Sequence, residues 1–307
     1  MNILITGGGG SVGTYLTSHF LAEGHNIRVL DPQPEKLQSL NSKSLEIIKA
    51  STLERAVLTK IVTGVDAVIH CAWSFSDSPE DVFQRDIGGL INLLTVTAEE
   101  GVKTFCNLSS AIVYGLPVTE TIAEEHPCLV ERARKPVYAL GKLASEKLCA
   151  IYAQANSFSC FSIRFWWGFA EEIGGKHLRE MIKAAREGQN LEVPAGAGGS
   201  FLHFMDLAAV LSGMLHGGTK LDGVYNLASF YVTWEEIAAM IREIVGRKIE
   251  VIAVPRESWQ GSTFLADRWE LATGKAQTEL GFKEKLAPEE YKNLLRQAIK
   301  RCAENLV

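Results

Sequence analysis

Residues 6–13, Thr6-Gly7-Gly8-Gly9-Gly10-Ser11-Val12-Gly13, join an apolar run at Ile3–Thr6 to a helical pattern that begins at Ser11. Glycine allows a tight turn and lets backbone amides approach a phosphate, and the helix N-terminus adds partial positive charge. The four successive glycines leave the register open between two patterns, Gly8-Gly10-Gly13 and Gly7-Gly10-Gly13. The stretch predicts a strand–turn–helix unit that binds a dinucleotide.

The rest of the first half alternates continuous apolar runs with helical patterns. The predicted strands are 26–30, 45–49, 66–70, 102–108 and 158–165, and the predicted helices are 11–23, 53–62, 79–100 and 138–155. Strands that are apolar throughout and separated by helices indicate a parallel sheet covered on both faces. The expected fold class is therefore α/β, a Rossmann-type doubly wound parallel sheet.

An acidic residue stands at the end of the second predicted strand. Asp31 lies 18 residues after Gly13, close to the spacing of about 20 that is typical of dinucleotide sites. Its carboxylate is suited to both ribose hydroxyls of NAD and would repel the 2′-phosphate of NADP, and the next basic residue is Lys36. The sequence favours NAD over NADP, although Asp31 before Pro32 also fits a turn residue.

The second half is less regular. Helical patterns cover 177–187, 205–215, 234–245 and 288–304, strands are predicted at 224–228 and 249–254, and Gly196–Gly199 is expected to be a mobile loop. We expect an NAD-binding Rossmann domain made of residues 1–170 plus about 201–245. A smaller C-terminal substrate-binding cap would comprise about 171–200 plus 246–307.

Composition limits the partners. The 307 residues carry 31 Lys and Arg against 36 Asp and Glu, a net charge of −5, which argues against a nucleic-acid or anionic-membrane binder. No apolar run approaches the roughly 20 residues that span a bilayer, and the N-terminus has no signal-peptide pattern. The six cysteines form no C-x-x-C pair or zinc-ligand spacing, so we expect free thiols, no metal and a cytoplasmic location.

Three residues have the pattern of a hydride-transfer site. Tyr138 and Lys142 are four apart in one predicted helix, and Ser110 follows a strand at the carboxyl end of the sheet. A tyrosine with a pKa of about 10 is a weak base, but an ammonium and an oxidised nicotinamide nearby favour its phenolate. Ser110 would bond the substrate oxygen whose proton Tyr138 takes or gives, and Lys142 would also hold the cofactor ribose.

These motifs together resemble an extended short-chain dehydrogenase/reductase of the NAD-dependent epimerase/dehydratase family. The matching stretches are 6–13, Asp31, 66–72, 109–115, 138–142, 201–207 and 275–282. The resemblance implies Ser110, Tyr138 and Lys142 as catalytic residues and a homodimer formed through helices 79–100 and 138–155. It implies that the cofactor is bound by Tyr138, Lys142, Gly7, Gly10, Ser11, Val12, Gly13, Asp31, Ser51, Cys71 and Ala72.

The chain departs from the family pattern at several positions. Ala111 and Ile112 replace the Asp-Glu pair of the dehydratases, which argues against loss of water. Trp167 stands where nucleotide-sugar enzymes commonly have Asn, and Gly199 where they often have Arg, which argues against a nucleoside diphosphate in the pocket. Asp86 replaces a usual Asn, and Ala50-Ser51 replaces a Gly-Asp that often contacts adenine.

Aromatic residues mark the expected substrate pocket. Its predicted lining is Trp73, Phe75, Ser110, Tyr114, Trp166 and Trp167. The aromatic rings among them would stack on a sugar face or form an apolar slot. The alternative for Trp166 and Trp167 is core packing.

The predicted function is an NAD-dependent oxidoreductase or epimerase that acts by hydride transfer on a secondary alcohol of a sugar or sugar-like small molecule. One alternative is an NAD(P)-dependent dehydrogenase or reductase of a small non-nucleotide ketone or aldehyde. Another is an NAD(P)-sensing protein without turnover, against which the presence of Ser110, Tyr138 and Lys142 argues.

Overall fold

The computed structural model describes residues 1–156, 158–216 and 221–306, and the chain forms two compact units. The first unit comprises 1–115, 127–164 and 208–226, and the second comprises 116–126, 165–207 and 227–307. Strands and helices are numbered below in chain order.

The first unit is built on a seven-stranded sheet. Its strands are β1 (Asn2–Thr6), β2 (Asn26–Leu30), β3 (Leu45–Ile48), β4 (Ala67–His70), β5 (Thr104–Leu108), β6 (Ser159–Arg164) and β10 (Asp222–Asn226). Every neighbouring pair is parallel, in the order β10-β6-β5-β4-β1-β2-β3. The chain order reverses between β1 and β4, which creates the crevice where such sheets bind ligands. The predicted fold class is confirmed.

Helices cover this sheet because their apolar residues pack onto the buried apolar residues of its strands. They are α1 (Ser11–Ala22), α2 (Arg55–Val62), α3 (Gly88–Glu99), α4 (Pro136–Ala155) and α6 (Phe204–His216), the last contributing residues 208–216 to this unit. One large core cluster contains Leu93 and Leu94 of α3, Cys149 of α4, and Val68 and Phe105 of the sheet.

The predicted helix 79–100 is divided in two. Residues Asp81–Ile87 form a π-helical segment, and α3 begins only at Gly88. At Gly89 a Cβ would lie 2.1 Å from Thr52 Oγ1, so glycine permits the close approach of this helix to the chain before α2. Wider π-helical turns are common at functional sites, and this one carries Asp86, which binds the loop after β4.

The second unit contains shorter elements. These are β7 (Trp167–Phe169), α5 (Lys176–Arg186), β8 (Leu191–Pro194), β9 (Gly198–His203), β11 (Phe230–Thr233), α7 (Trp234–Val245), β12 (Val251–Val254), β13 (Arg268–Trp269), α8 (Gly274–Glu279) and α9 (Pro288–Asn305). Strand β9 pairs with β11 on one side and with β7 and β13 on the other, while β8 pairs with β12.

The expectation of a mobile loop at Gly196–Gly199 is wrong. Gly198 and Gly199 are buried and begin β9, where they pair with both β11 and β13. A Cβ on Gly198 would lie 2.3 Å from Val232 O, so these glycines serve close packing rather than mobility.

The boundaries of the units differ from the expected domains. Segments 116–126, 165–170, 201–207 and 227–245, all expected in the NAD-binding domain, lie in the second unit. Within that unit β11 pairs with β9, and α7 contacts α5, β8 and α9. Of residues 201–245, the first unit holds only 208–226.

Within the described part of the chain, no helix is long and apolar enough to cross a membrane.

Candidate active site

The glycine loop between β1 and α1 has almost no room for side chains. Gly7 has φ +72°, and a Cβ there would lie 2.5 Å from Ala72 N. A Cβ on Gly13 would lie 2.3 Å from Gly7 O, and one on Gly8 2.2 Å from Val29 Cγ1. Gly10 has more space, with its nearest atom at 3.3 Å. The loop therefore presents backbone rather than side chains, as a phosphate cradle requires.

The N-terminus of α1 is suited to an anion. Gly10 is its N-cap residue, no side chain caps it, and its first turn contains no acidic residue. The first backbone N–H groups of a helix have no intrahelical acceptor and carry partial positive charge. Ser11 and Val12 contribute two of these groups, so the residues present fit a pyrophosphate.

Asp31 closes the other side of the loop. Its Oδ2 accepts from Gly9 N at 2.9 Å and its Oδ1 from Gln33 N at 2.7 Å. Each carboxylate oxygen has a second lone pair free to accept from a ribose hydroxyl. The loop, the helix terminus and this carboxylate together fit NAD.

The remaining predicted cofactor residues lie in unit one as well. The backbone of Cys71 and Ala72 packs directly against Gly7. Ser51 is half-buried in the turn before α2, where its Oγ accepts from Leu53 N at 3.2 Å and its N–H donates to the Glu54 carboxylate. Ser51 therefore shapes a turn, and its contact with adenine stays a prediction.

Tyr138 and Ser110 are brought together by α4 and the end of β5. Ser110 begins a short 3₁₀ turn, Ala111–Tyr114, and its Oγ accepts from Ile112 N at 3.2 Å. Burial raises the pKa of the Tyr138 phenol well above its usual value, although the nearby Ser110 hydroxyl and the charge of Arg134 act to lower it. Without a further positive charge, Tyr138 is a neutral phenol.

Lys142 lies one turn further along α4 and is buried. Its Nζ donates to Leu108 O at 2.8 Å. Burial lowers the pKa of this ammonium to about 7, although Asp86, Cys71 and Glu146 favour its charge. Its proton is therefore exchangeable near neutral pH, as a residue that assists proton transfer requires.

Two aromatic rings of the loop after β4 lie on this pair. The Trp73 ring centroid is 3.8 Å from Lys142 Nζ, and its edge faces Tyr138 with the centroids 6.2 Å apart. Phe75 stacks on Tyr138 at 5.8 Å and 22°. The structure thus brings Trp73 and Phe75 to the predicted catalytic residues.

A buried ion pair supports the same strand end from behind. Arg164 donates from Nε and Nη2 to the two carboxylate oxygens of Glu146, at 2.8 and 2.6 Å. Ser109, the neighbour of Ser110, donates to Glu146 Oε1 at 2.5 Å. Glu146 was missed by the sequence reasoning, although its position four residues after Lys142 on one helix face was a usable signal.

The prediction that Tyr114 lines the substrate pocket is wrong. Tyr114 is fully buried, its OH donates to Asn226 Oδ1 at 2.7 Å, and the Arg164 guanidinium lies 4.7 Å from its ring centroid. The ring face of Tyr114 is therefore covered by Arg164 and its hydroxyl is bonded to Asn226, so neither contacts a pocket.

Trp166 and Trp167 lie in the second unit, within an aromatic cluster. Trp166 stacks on Phe264 at 5.8 Å, and Trp167 stacks on Phe201 at 5.6 Å. A Cβ on Gly199 would lie 2.3 Å from the Trp166 ring. Trp166 thus fills the space above Gly199; both tryptophans are half-buried, and their place in the lining of a substrate pocket stays a prediction.

Comparison with known proteins identifies the family. The model of the NAD dependent epimerase/dehydratase family matches residues 3–228. The chain belongs to this family, which confirms the expectation of an NAD-dependent enzyme of the extended short-chain dehydrogenase/reductase type.

Relatives and solved structures agree over the full length. The chain is 26% identical to UDP-glucose 4-epimerase 2 of Arabidopsis thaliana, covering 94% of this chain and 92% of the relative. Among solved structures, WbmG of Bordetella bronchiseptica in complex with NAD has a TM-score of 0.80 at 23% identity, covering 100% of this chain and 96% of that one. UDP-glucose 4-epimerase of Thermotoga maritima with UDP-glucose has a TM-score of 0.77 at 19% identity, covering 99% and 98%.

The predicted reaction class, NAD-dependent oxidoreductase or epimerase chemistry, is therefore confirmed.

Proposed function

We propose that this protein is an NAD-dependent epimerase or dehydrogenase of a sugar-like secondary alcohol, with Ser110, Tyr138 and Lys142 as its catalytic residues. The observation that supports this most directly is the placement of Tyr138 and the buried Lys142 one turn apart on α4, both in contact with the Trp73 ring, with Ser110 close enough to the Tyr138 phenol to favour its charged form. NAD, held by the glycine loop and Asp31, supplies the hydride acceptor.

The roles of the three side chains follow from their surroundings. Ser110 donates to the substrate oxygen and holds it near Tyr138. Tyr138 takes the hydroxyl proton when the alcohol is oxidised and returns it when the ketone is reduced. Lys142, charged below a pKa of about 7, lowers the energy of the phenolate and holds the cofactor ribose. An epimerase would reduce the ketone on its other face, whereas a dehydrogenase would release it.

A second candidate is a reductase of a non-nucleotide ketone. Trp73 and Phe75 cover Tyr138 with apolar surface. The apolar cover on Tyr138 favours a substrate smaller and less polar than the UDP-glucose named with the Thermotoga maritima structure.

A substrate panel tests the proposal. UDP-glucose, UDP-galactose and free sugars would be incubated with NAD, and small ketones with NADH, with absorbance at 340 nm and NMR of the products as readouts. We expect Tyr138→Phe to lower kcat by about 10²- to 10⁴-fold. Tyr152→Phe is the matched control, because Tyr152 lies in the same helix but bonds Thr95. Turnover by Tyr138→Phe at the wild-type rate would refute the proposal.

We also propose a homodimer formed through helices 79–100 and 138–155. Large exposed apolar side chains lie on both helices: Phe83, Ile91, Leu140 and Ile151. Leu140→Lys with Ile151→Lys should yield a monomer by sedimentation, while Ile252→Lys, another exposed apolar position, should not.

A cytoplasmic location is supported by the six free cysteines, as in a reducing compartment.

A further inference from the structure

The Lys142 ammonium is buried between two neighbours. The residue is only 4% exposed, its Nζ donates to Leu108 O, and the Trp73 ring covers another face at 3.8 Å. A ligand that is to contact this ammonium must therefore displace one of its neighbours.

The two neighbours differ in their freedom to move. Leu108 O belongs to β5, which is paired on both sides inside the sheet. Trp73 lies in an irregular loop, is half-buried, and its buried Nε1 has no hydrogen-bond partner within the described residues. Its indole fits beside α4 because residue 141 is glycine, whose Cβ would be 3.1 Å from Trp73 Cζ2.

The loop that carries Trp73 is strained two residues later. Phe75 is a non-glycine residue at φ +55°, its side chain is 66% exposed, and Lys135 Nζ donates to its carbonyl at 3.0 Å. Backbone strain of this kind is concentrated at sites that switch or clamp ligands. Ser74 lies between Trp73 and Phe75, and its N–H and hydroxyl both donate to the Asp86 carboxylate. The two aromatic side chains are therefore attached to the same fixed residue of the loop.

We propose that the Trp73 indole and the ribose of NAD compete for the Lys142 ammonium, so that Trp73 moves off the lysine when the ribose binds it. Trp73 is then a positioning residue that keeps the lysine in place and excludes water until the ribose replaces the indole face. The inference rests on the proposed role of Lys142 in holding the ribose. A cation–π contact in a desolvated site is strong enough to change the apparent affinity for NAD about three- to thirtyfold.

A double-mutant cycle on NAD binding tests the inference without turnover. The dissociation constant would be measured by calorimetry for wild type, Trp73→Leu, Lys142→Met and the double variant. We expect Trp73→Leu to bind NAD about three- to thirtyfold more tightly, and the same substitution to have no effect when residue 142 is Met. Weaker binding by Trp73→Leu in both backgrounds would overturn the inference, since Trp73 would then be only a wall of the cofactor site.

Tryptophan fluorescence gives a second readout. NAD should change the tryptophan emission of the wild type more than that of Trp73→Phe. The control is Trp259→Phe, which should respond like the wild type because the Trp259 indole already donates to Ser262 O. NAD binding with identical changes in wild type and Trp73→Phe would overturn the inference and leave the proposed function intact. Turnover by Tyr138→Phe would instead refute the proposed function and leave the binding cycle unaffected.

Discussion

Arg164 and Glu146 form a two-point ion pair in the interior of the first unit, with Nε–Oε1 and Nη2–Oε2 distances of 2.8 and 2.6 Å. Both side chains are almost completely buried, at 4% and 2% exposed. The pair connects the end of β6 to α4 and, through Ser109, to the strand end that carries Ser110. It is therefore placed to maintain the geometry between Ser110 and Tyr138.

Breaking this pair should be costly. Glu146→Gln leaves the Arg164 charge buried without its counter-charge, so we expect the free energy of unfolding to fall by about 3–5 kcal/mol. Chemical denaturation measures this change. Arg55→Ala, at the exposed Arg55–Glu99 pair, should cost about 1 kcal/mol or less. Equal losses for the two variants would contradict the prediction.

His70 should make the fold sensitive to acid. Burial, and then the charge of Lys142, lowers the pKa of His70 to about 3, while its unfolded value is about 6.5. Between these values the unfolded chain binds more protons, so stability falls as the pH drops from about 6.5 towards 3.

His70→Gln removes this titration. Its free energy of unfolding should depend less steeply on pH in that window, by up to about 1.4 kcal/mol per pH unit. Denaturant titrations at several pH values between 4 and 7 would check it, and the same slope in both proteins would count against the buried neutral histidine.

Substitution by alanine should have opposite effects at Gly13, in the glycine loop, and at Gly213, in helix α6. Gly13→Ala places a methyl group 2.3 Å from Gly7 O, so we expect a loss of about 1–3 kcal/mol in stability together with loss of NAD binding. Gly213 lies in α6 with no atom within 4 Å of a Cβ, so Gly213→Ala should stabilise the protein by about 0.5–1 kcal/mol. Normal NAD affinity in Gly13→Ala would refute the close-packed loop.

Asp31 should determine the choice between NAD and NADP. Asp31→Asn keeps the size of the side chain but removes its charge and one acceptor. We expect the dissociation constant for NAD to rise about tenfold and the preference over NADP to shrink, because charged hydrogen bonds and phosphate repulsion are both lost. Binding titrations with both cofactors measure the ratio, and an unchanged ratio would show that Asp31 is only a turn residue.

Trp166 and Gly199 should behave as a matched pair. Gly199→Ala is expected to destabilise the protein by about 1–3 kcal/mol, because its methyl group would overlap the Trp166 ring. Trp166→Leu in the same chain should recover part of that loss, and Gly174→Ala, which meets no atom within 4 Å, is the control. Thermal unfolding of these three variants and of Trp166→Leu alone tests the pair, and additive losses without recovery would refute it.

Sequence patterns predicted those features of the first unit that depend on residues close together along the chain. The run of glycines before α1, the carboxylate that ends β2 and the four-residue spacing of Tyr138 and Lys142 each depend on neighbours along the chain. Strands buried on both faces are also recognisable, because apolar residues predominate in them on both faces, as in β1 and β4. The second unit was predicted less well: its short strands pair over long sequence distances, and glycines that pack β9 have the same composition as a mobile loop.

The sequence by itself therefore determined the parallel sheet, the dinucleotide loop and the identity of the residues available for hydride transfer. Only the tertiary structure decided what surrounds them: Trp73 on Lys142, Phe75 on Tyr138, Trp166 above Gly199, and Tyr114 buried between Arg164 and Asn226. The reason is physical. A spacing of four residues fixes two side chains on one helix face, whereas the position of an aromatic ring depends on which distant backbone leaves space for it.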